Sequence, residues 1–158
     1  MLQKIWTNVI ALILRRPSRY QVAALCWRET GSGIEVLLIS SRTTRRWVLP
    51  KGWPKRGLDG AGTAMEEAWE EAGISVDDPK PVRIGRYAYR KRLEGDVPVP
   101  TMVDVYAIHV SGLLDTFPEA GQRDRQWFPP EEAASLVHEP ELATLLRQSA
   151  RLIATPSS

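Results

Sequence analysis

Small apolar residues and acids interleave from Ala61 to Ala72, and Gly73 closes the run; this reads as one amphipathic helix with a glycine stop. On a helix advancing about 100° per residue, Glu67, Glu70 and Glu71 share one face at spacings i, i+3 and i+4. Ala61, Ala64, Met65, Ala68, Trp69 and Ala72 take the other side, a narrow stripe of mostly small residues suited to close packing on a sheet. Like charges at i and i+4 oppose one another by roughly a few tenths of a kcal/mol per pair. An all-acid face is therefore either a solvated surface or a place for a cation, and a hard divalent ion accepts oxygen ligands of this kind.

The residues before this helix sharpen the choice. Pro50, Gly52, Pro54, Gly57, Gly60 and Gly62 punctuate a loop that carries Lys51, Lys55 and Arg56, cations able to hold an anion beside the acids. Upstream, Val22 to Trp27 and Glu35 to Ser40 read as two strands joined by the turn-rich Glu29 to Gly33. Downstream, Arg83 to Tyr89 and Thr101 to Val110 read as strands, the second alternating Val103, Val105 and Ala107 against Met102, Asp104 and Tyr106. Arg92 to Pro100 reads as a polar connection between them. Gln126 to Phe128 is a further short strand, Pro130 to Val137 a short helix, and Glu139 to Ile153 a longer one with Leu142, Leu145, Leu146 and Leu152 as its apolar residues. Strands interleaved with helices predict an α/β fold, a mixed sheet with helices against its faces.

At 158 residues and 43% hydrophobic content, one domain with a packed core is expected. The divisions are an N-terminal extension at 1–19, the domain at 20–153 and a frayed tail at 154–158. Lysine and arginine total 21 against 19 acids, a net charge of +2 that argues against a nucleic-acid-coating protein. Cys26 is the single cysteine, so no internal disulfide forms and a reducing, cytoplasmic setting is expected. The apolar stretch from Ile5 to Leu14 is too short to span a bilayer and lacks a small-residue cleavage site; packing on the domain or a homodimer contact is the expectation.

Gly52, Glu67, Ala68, Glu70, Glu71, Gly73 and Ile74 resemble the box of the Nudix hydrolases, G-x5-E-x7-R-E-U-x-E-E-x-G-U with U apolar, and the spacing fits throughout. The likeness extends from about Tyr20 to Gln148. It implies an α/β/α sandwich with a mixed sheet, Mg²⁺ or Mn²⁺ held by Glu67, Glu70, Glu71 and the carbonyl of Gly52, and hydrolysis of a diphosphate linked to another group. Arg46 to Trp53 and Gln122 to Phe128 most resemble the diphosphoinositol polyphosphate and diadenosine polyphosphate phosphohydrolases. Two box positions differ: Leu58 stands where the first Glu belongs, and Glu66 where the Arg belongs. Lys51, Lys55 or Arg56 is expected to orient the acids in place of that Arg.

Such a substrate, a small polyphosphorylated molecule, calls for several cationic donors, and Arg42, Lys51, Lys55, Arg90, Lys91, Arg123 and Arg125 are the candidates. By the resemblance, Ser40, Ser41, Arg42, Arg90 and Arg123 fall where phosphate contacts are expected, and Trp53 is placed to shape the pocket or stack on a base. Glu70 or Glu71 is the expected base, with Glu119 in the loop at Phe117 to Gly121 the competitor. His109 and His138 read as structural, as do Trp27, Trp127 and Trp69. Two alternatives stand beside hydrolysis of a small molecule: a sensor that binds a phosphorylated ligand without turnover, and an RNA 5′-end pyrophosphohydrolase.

Overall fold

The computed structural model describes residues 19–76, 80–92 and 98–155; the apolar stretch from Ile5 to Leu14 and the end of the tail lie outside them. In chain order the elements are β1 (Arg19–Thr30), β2 (Gly33–Ser40), β3 (Trp47–Val48), β4 (Lys51–Gly52), α1 (Gly60–Ala72), β5 (Ile74–Ser75), β6 (Val82–Arg92), β7 (Pro98–His109), β8 (Gly112–Leu113), β9 (Arg125–Phe128), α2 (Pro130–Leu136), α3 (Pro140–Arg147) and α4 (Ser149–Ala154).

The main sheet runs β3-β2-β1-β7-β6, with β9 also paired to β2 and β4 to β1. It is mixed because β1 and β7 are parallel, from Arg19 opposite Thr101 to Trp27 opposite His109, while the other ladders are antiparallel. Strand alternation divides the core in two. Ala23, Leu25, Val36, Leu38, Val103 and Val105 face α2 and α3, where Ala133, Leu142 and Leu146 meet them. Val22, Ala24, Cys26, Leu37 and Ile39 face the opposite way, against Ala64, Ala68 and Ala72 of α1. Both faces of β1 are covered, which is why its centre is an unbroken apolar run. The result is the expected α/β/α sandwich.

Several elements depart from the sequence reading. Pro98 to Pro100 belongs to β7, paired with Arg90 to Arg92. The described β1 pairs with β7 only from Thr101 onward, so prolines without an N–H sit where the strand has one ladder to satisfy. The expected terminal helix is two helices: Gln148, at φ −93° and ψ −3°, ends α3, and the Ser149 hydroxyl donates to the Leu146 carbonyl at 2.6 Å. β3 forms just ahead of the supposed loop before α1, β4 lies within that loop, and a small sheet pairs β5 with β8. These strands are two residues each, too short for a hydrophobic period to reveal.

Candidate active site

Helix α1 is fixed at both ends. Asp59 accepts the Gly62 N–H at 2.8 Å as its N-cap, and Gly73 terminates it in the left-handed region at φ 65°. The Arg125 guanidinium donates to the carbonyls of Ala72 and Leu114, both at 2.7 Å, and lies over the Phe117 ring. That corrects the expectation that Arg125 grips substrate: it caps the helix C-terminus, where the dipole favours a cation. With Ala64, Ala68 and Ala72 against the sheet, Glu67 and Glu71 border the buried stripe at 7% and 8% exposure. Trp69 does not pack in the core; it is 44% exposed.

The acids then meet the chain around them. Gly52 is held below α1 because β4 is tied to β1, Val22 opposite Gly52. A side chain at position 52 would meet the Glu67 carboxylate and push it from its place, so glycine there allows the close approach. Lys55 Nζ lies 2.8 Å from Glu70, 3.2 Å from Glu67 and 3.4 Å from Glu66. Arg123 reaches Glu71 at 3.5 Å and Glu119 at 3.0 Å, and donates to the Ser40 carbonyl. Glu119 is drawn in by its own N–H, which donates to the Glu70 carbonyl at 3.0 Å. Burial, reinforced by Glu67 and Glu119, raises the Glu71 carboxyl well above the usual carboxylate range against the pull of Arg123.

Beside Glu71 and Gly52 opens a cleft of about 750 Å³, whose cations are Arg42, Arg46, Lys51, Arg90, Lys91 and Arg123. Ser41, Trp53, Tyr89, Gln21 and His138 are among its other lining residues. Lys51 is deeply set: burial lowers its amine to about 8, although Glu139 and Glu71 oppose the change. Burial, with Arg19 nearby, also lowers Lys91. Trp53, 41% exposed, is flanked by Lys91 at 4.8 Å and Arg19 at 5.7 Å from its ring centre.

The family profile described as NUDIX domain matches residues 17–149. The chain belongs to the Nudix hydrolase family. It is 29% identical over 132 residues to human diphosphoinositol polyphosphate phosphohydrolase 3-alpha, covering 81% of this chain and 76% of that protein. It is 31% identical over 118 residues to Nudix hydrolase 16, mitochondrial, of Arabidopsis thaliana, covering 71% and 63%. A C. elegans Ap4A hydrolase binary complex shares the fold with a TM-score of 0.65 at 21% identity, over 86% of this chain and 98% of the other.

In this Nudix chain the cleft gathers Ser41, Arg42, Lys51, Trp53, Arg90, Lys91 and Arg123 with Gly52 and Glu71. Three expected substrate contacts fall elsewhere. Ser40 is buried and its hydroxyl accepts the Asp124 N–H; Lys55 sits on the acids; Arg125 caps α1. Arg46, Tyr89, Gln21 and His138 were not expected in the cleft. Arg46 pairs with the buried Glu139 at 3.0 Å, and the Tyr89 hydroxyl donates to Gln21 at 2.6 Å, pairings between distant segments that no local motif announces. His109 stacks on Trp27 with ring centres 4.3 Å apart, and Arg28 lies over Trp127. Among the described residues, no three His, Cys, Asp or Glu side chains converge as a ready-made metal cage. Glu70 turns to Lys55 and Glu71 to Arg123. The residues nevertheless suit a hard cation: their donors are all oxygen, Glu67 is pressed against Gly52, and burial with Glu67 and Glu119 nearby strains Glu71 more than Arg123 relieves it.

Proposed function

We propose that this chain is a metal-dependent pyrophosphohydrolase acting on a diphosphate linked to another group, either a diadenosine polyphosphate or a diphosphoinositol polyphosphate. The observation that carries this reading is the continuity of the site: six cations line one cleft that ends at Gly52 and Glu71 of the box. A chain of phosphates laid along those cations would deliver one anhydride to the acids. The relatives named diphosphoinositol polyphosphate phosphohydrolase and Ap4A hydrolase support the same substrate classes.

Glu67, Glu71, Glu70 and the Gly52 carbonyl would hold Mg²⁺ or Mn²⁺, and the ion when bound supplies charge neutralisation at phosphate oxygens and acidifies water. The chain itself supplies grip and orientation. Lys51, Arg90, Lys91 and Arg123 bind phosphate oxygens, and Trp53 offers a flat face to a nucleobase. Glu119 is engaged with Arg123 at 3.0 Å and lies 3.9 Å from Arg42, which suits it to placing those cations and leaves proton removal to Glu70 or Glu71.

The test is a screen of diadenosine polyphosphates, diphosphoinositol phosphates, nucleotide sugars and nucleoside triphosphates with Mg²⁺ and with Mn²⁺. Anhydride hydrolysis of one of the first two classes is expected, read as two nucleotide products from a diadenosine polyphosphate or as inorganic phosphate from a diphosphoinositol phosphate. Tight binding without release at every metal concentration would make the protein a sensor. Salt-sensitive turnover of triphosphorylated RNA, with little on dinucleotides, would make it an RNA 5′-end enzyme.

A further inference from the structure

The box of this chain lacks its arginine, yet the acids next to that position are not without a cation. Lys55 enters from the loop rather than from the helix. Its backbone N–H donates to the Thr63 hydroxyl in the first turn of α1 at 3.3 Å. Its carbonyl accepts the Leu58 N–H at 3.1 Å, closing a turn in which Gly57 takes φ 80°. Thr63 lies three, four and seven residues before Glu66, Glu67 and Glu70, one continuous helix face. A side chain anchored at Thr63 therefore runs along that face and reaches all three carboxylates, with its best hydrogen bond, 2.8 Å, to Glu70.

We propose that Lys55 is a positioning residue that does the work of the missing box arginine, holding Glu67 and Glu70 in the orientation a divalent ion needs, with Glu66 as an additional anchor for its ammonium. This rests on the metal-site reading above. Glu66 is then no bare loss: the acid where an arginine belongs is 3.4 Å from the cation that replaces it. The rival role is an occupant of the metal's own place, and the geometry disfavours it. Lys55 pairs with Glu66, Glu67 and Glu70, whereas Glu71, the acid that lines the cleft, pairs with Arg123.

The experiment titrates Mn²⁺ against full-length wild type, Lys55→Met, Lys55→Arg and the double variant Lys55→Met/Glu66→Arg, following free Mn²⁺ by electron paramagnetic resonance. Thermal melts in EDTA establish that each variant is folded. Lys55→Met should weaken Mn²⁺ binding by about 10- to 100-fold, the usual effect of losing a group that orients a metal ligand. It should lower kcat and leave KM for the screened substrate nearly unchanged. Lys55→Arg should retain most of the affinity, and restoring arginine at position 66 in the double variant should recover it. Equal or tighter Mn²⁺ binding by Lys55→Met would overturn the proposal and make Lys55 a competitor of the metal. A double variant no better than Lys55→Met would also overturn it. A wild type that binds no Mn²⁺ overturns the metal reading and this proposal together, a result distinct from a wild type that binds and a Lys55→Met variant that binds equally well.

Discussion

Asp104 on β7 and Glu71 near the end of α1 are both carboxylates with less than a tenth of their surface exposed, yet their surroundings act on them in opposite directions. Asp104 accepts from Arg86 at 2.8 Å, from Arg83 at 2.9 Å and from the Tyr20 hydroxyl. Burial alone would raise its pKa, but those donors hold it at about 2. Around Glu71, burial acts with Glu67 and Glu119, and Arg123 offsets only part of it. One acid is matched by two guanidiniums; in the other place Glu66, Glu67, Glu70 and Glu71 share Lys55 and Arg123. A compensated carboxylate ties strands together. An acid row that its two cations match only in part holds carboxyls in mutual repulsion, which a further cation can relieve, and this marks a functional site with a physical rationale.

That contrast is most exposed to a Glu67→Gln variant. Turnover with Mg²⁺ or Mn²⁺ should fall by more than the roughly 10- to 100-fold expected for an outer supporting residue. The metal-free protein should melt no lower than wild type, because the substitution removes one of the crowded charges. Retained turnover, or a fall in the metal-free Tm, would give the acid row a structural role like that of Asp104.

Next in size is Lys51→Met, which removes a part-buried cation from the cleft and keeps most of its volume. A hydrogen bond to a charged group contributes about 1.5–3 kcal/mol, so KM for a polyphosphate should rise by roughly 10- to 100-fold while kcat changes less. A steady-state comparison on the best screened substrate checks this. An unchanged KM would remove Lys51 from the phosphate path.

How much of this was legible beforehand follows from the range of each interaction. Helix α1, its glycine stop and its acid face are local features, written within a few residues of one another, and they stand as read. The same holds for β1, β2 and the alternation in β7. Arg125 was misread because its partners, the Ala72 and Leu114 carbonyls, are backbone groups that become free only once α1 ends and the chain turns back. Arg46 entered the cleft through its pairing with Glu139, far along the sequence, and Trp69 left the core because the sheet needed only the alanine stripe. Leu58 and Glu66 were visible as departures, but the compensating Lys55 was one of three loop cations, and only the turn and the Thr63 anchor distinguish it.

A smaller effect, of a different kind, is expected for Arg125→Ala. The substitution leaves the C-terminal carbonyls of α1 without their donor, so stability should drop by about 1–3 kcal/mol. Because the side chain does not line the cleft, KM should hold at wild-type values. Denaturant unfolding and steady-state kinetics on one preparation separate the two; a raised KM with unchanged stability would return Arg125 to the substrate site.

Asp104→Asn tests the other half of the comparison and should have the smallest effect, confined to stability. The folded pKa of Asp104 lies below its ordinary value of 3.8, so its charge contributes stability above that pH, and the contribution is lost as pH falls through about 2. At neutral pH the asparagine variant should therefore unfold slightly more easily, since Arg83 and Arg86 lose their shared anion, and turnover should stay at the wild-type level. Between pH 4 and pH 2 its stability should depend less steeply on pH, because the variant has no carboxylate there to protonate. Unfolding midpoints of both proteins across that window decide it: parallel curves would show that Asp104 is not matched by its arginines in solution, and would remove the difference between the two carboxylate sites on which the functional reading of the acid row leans.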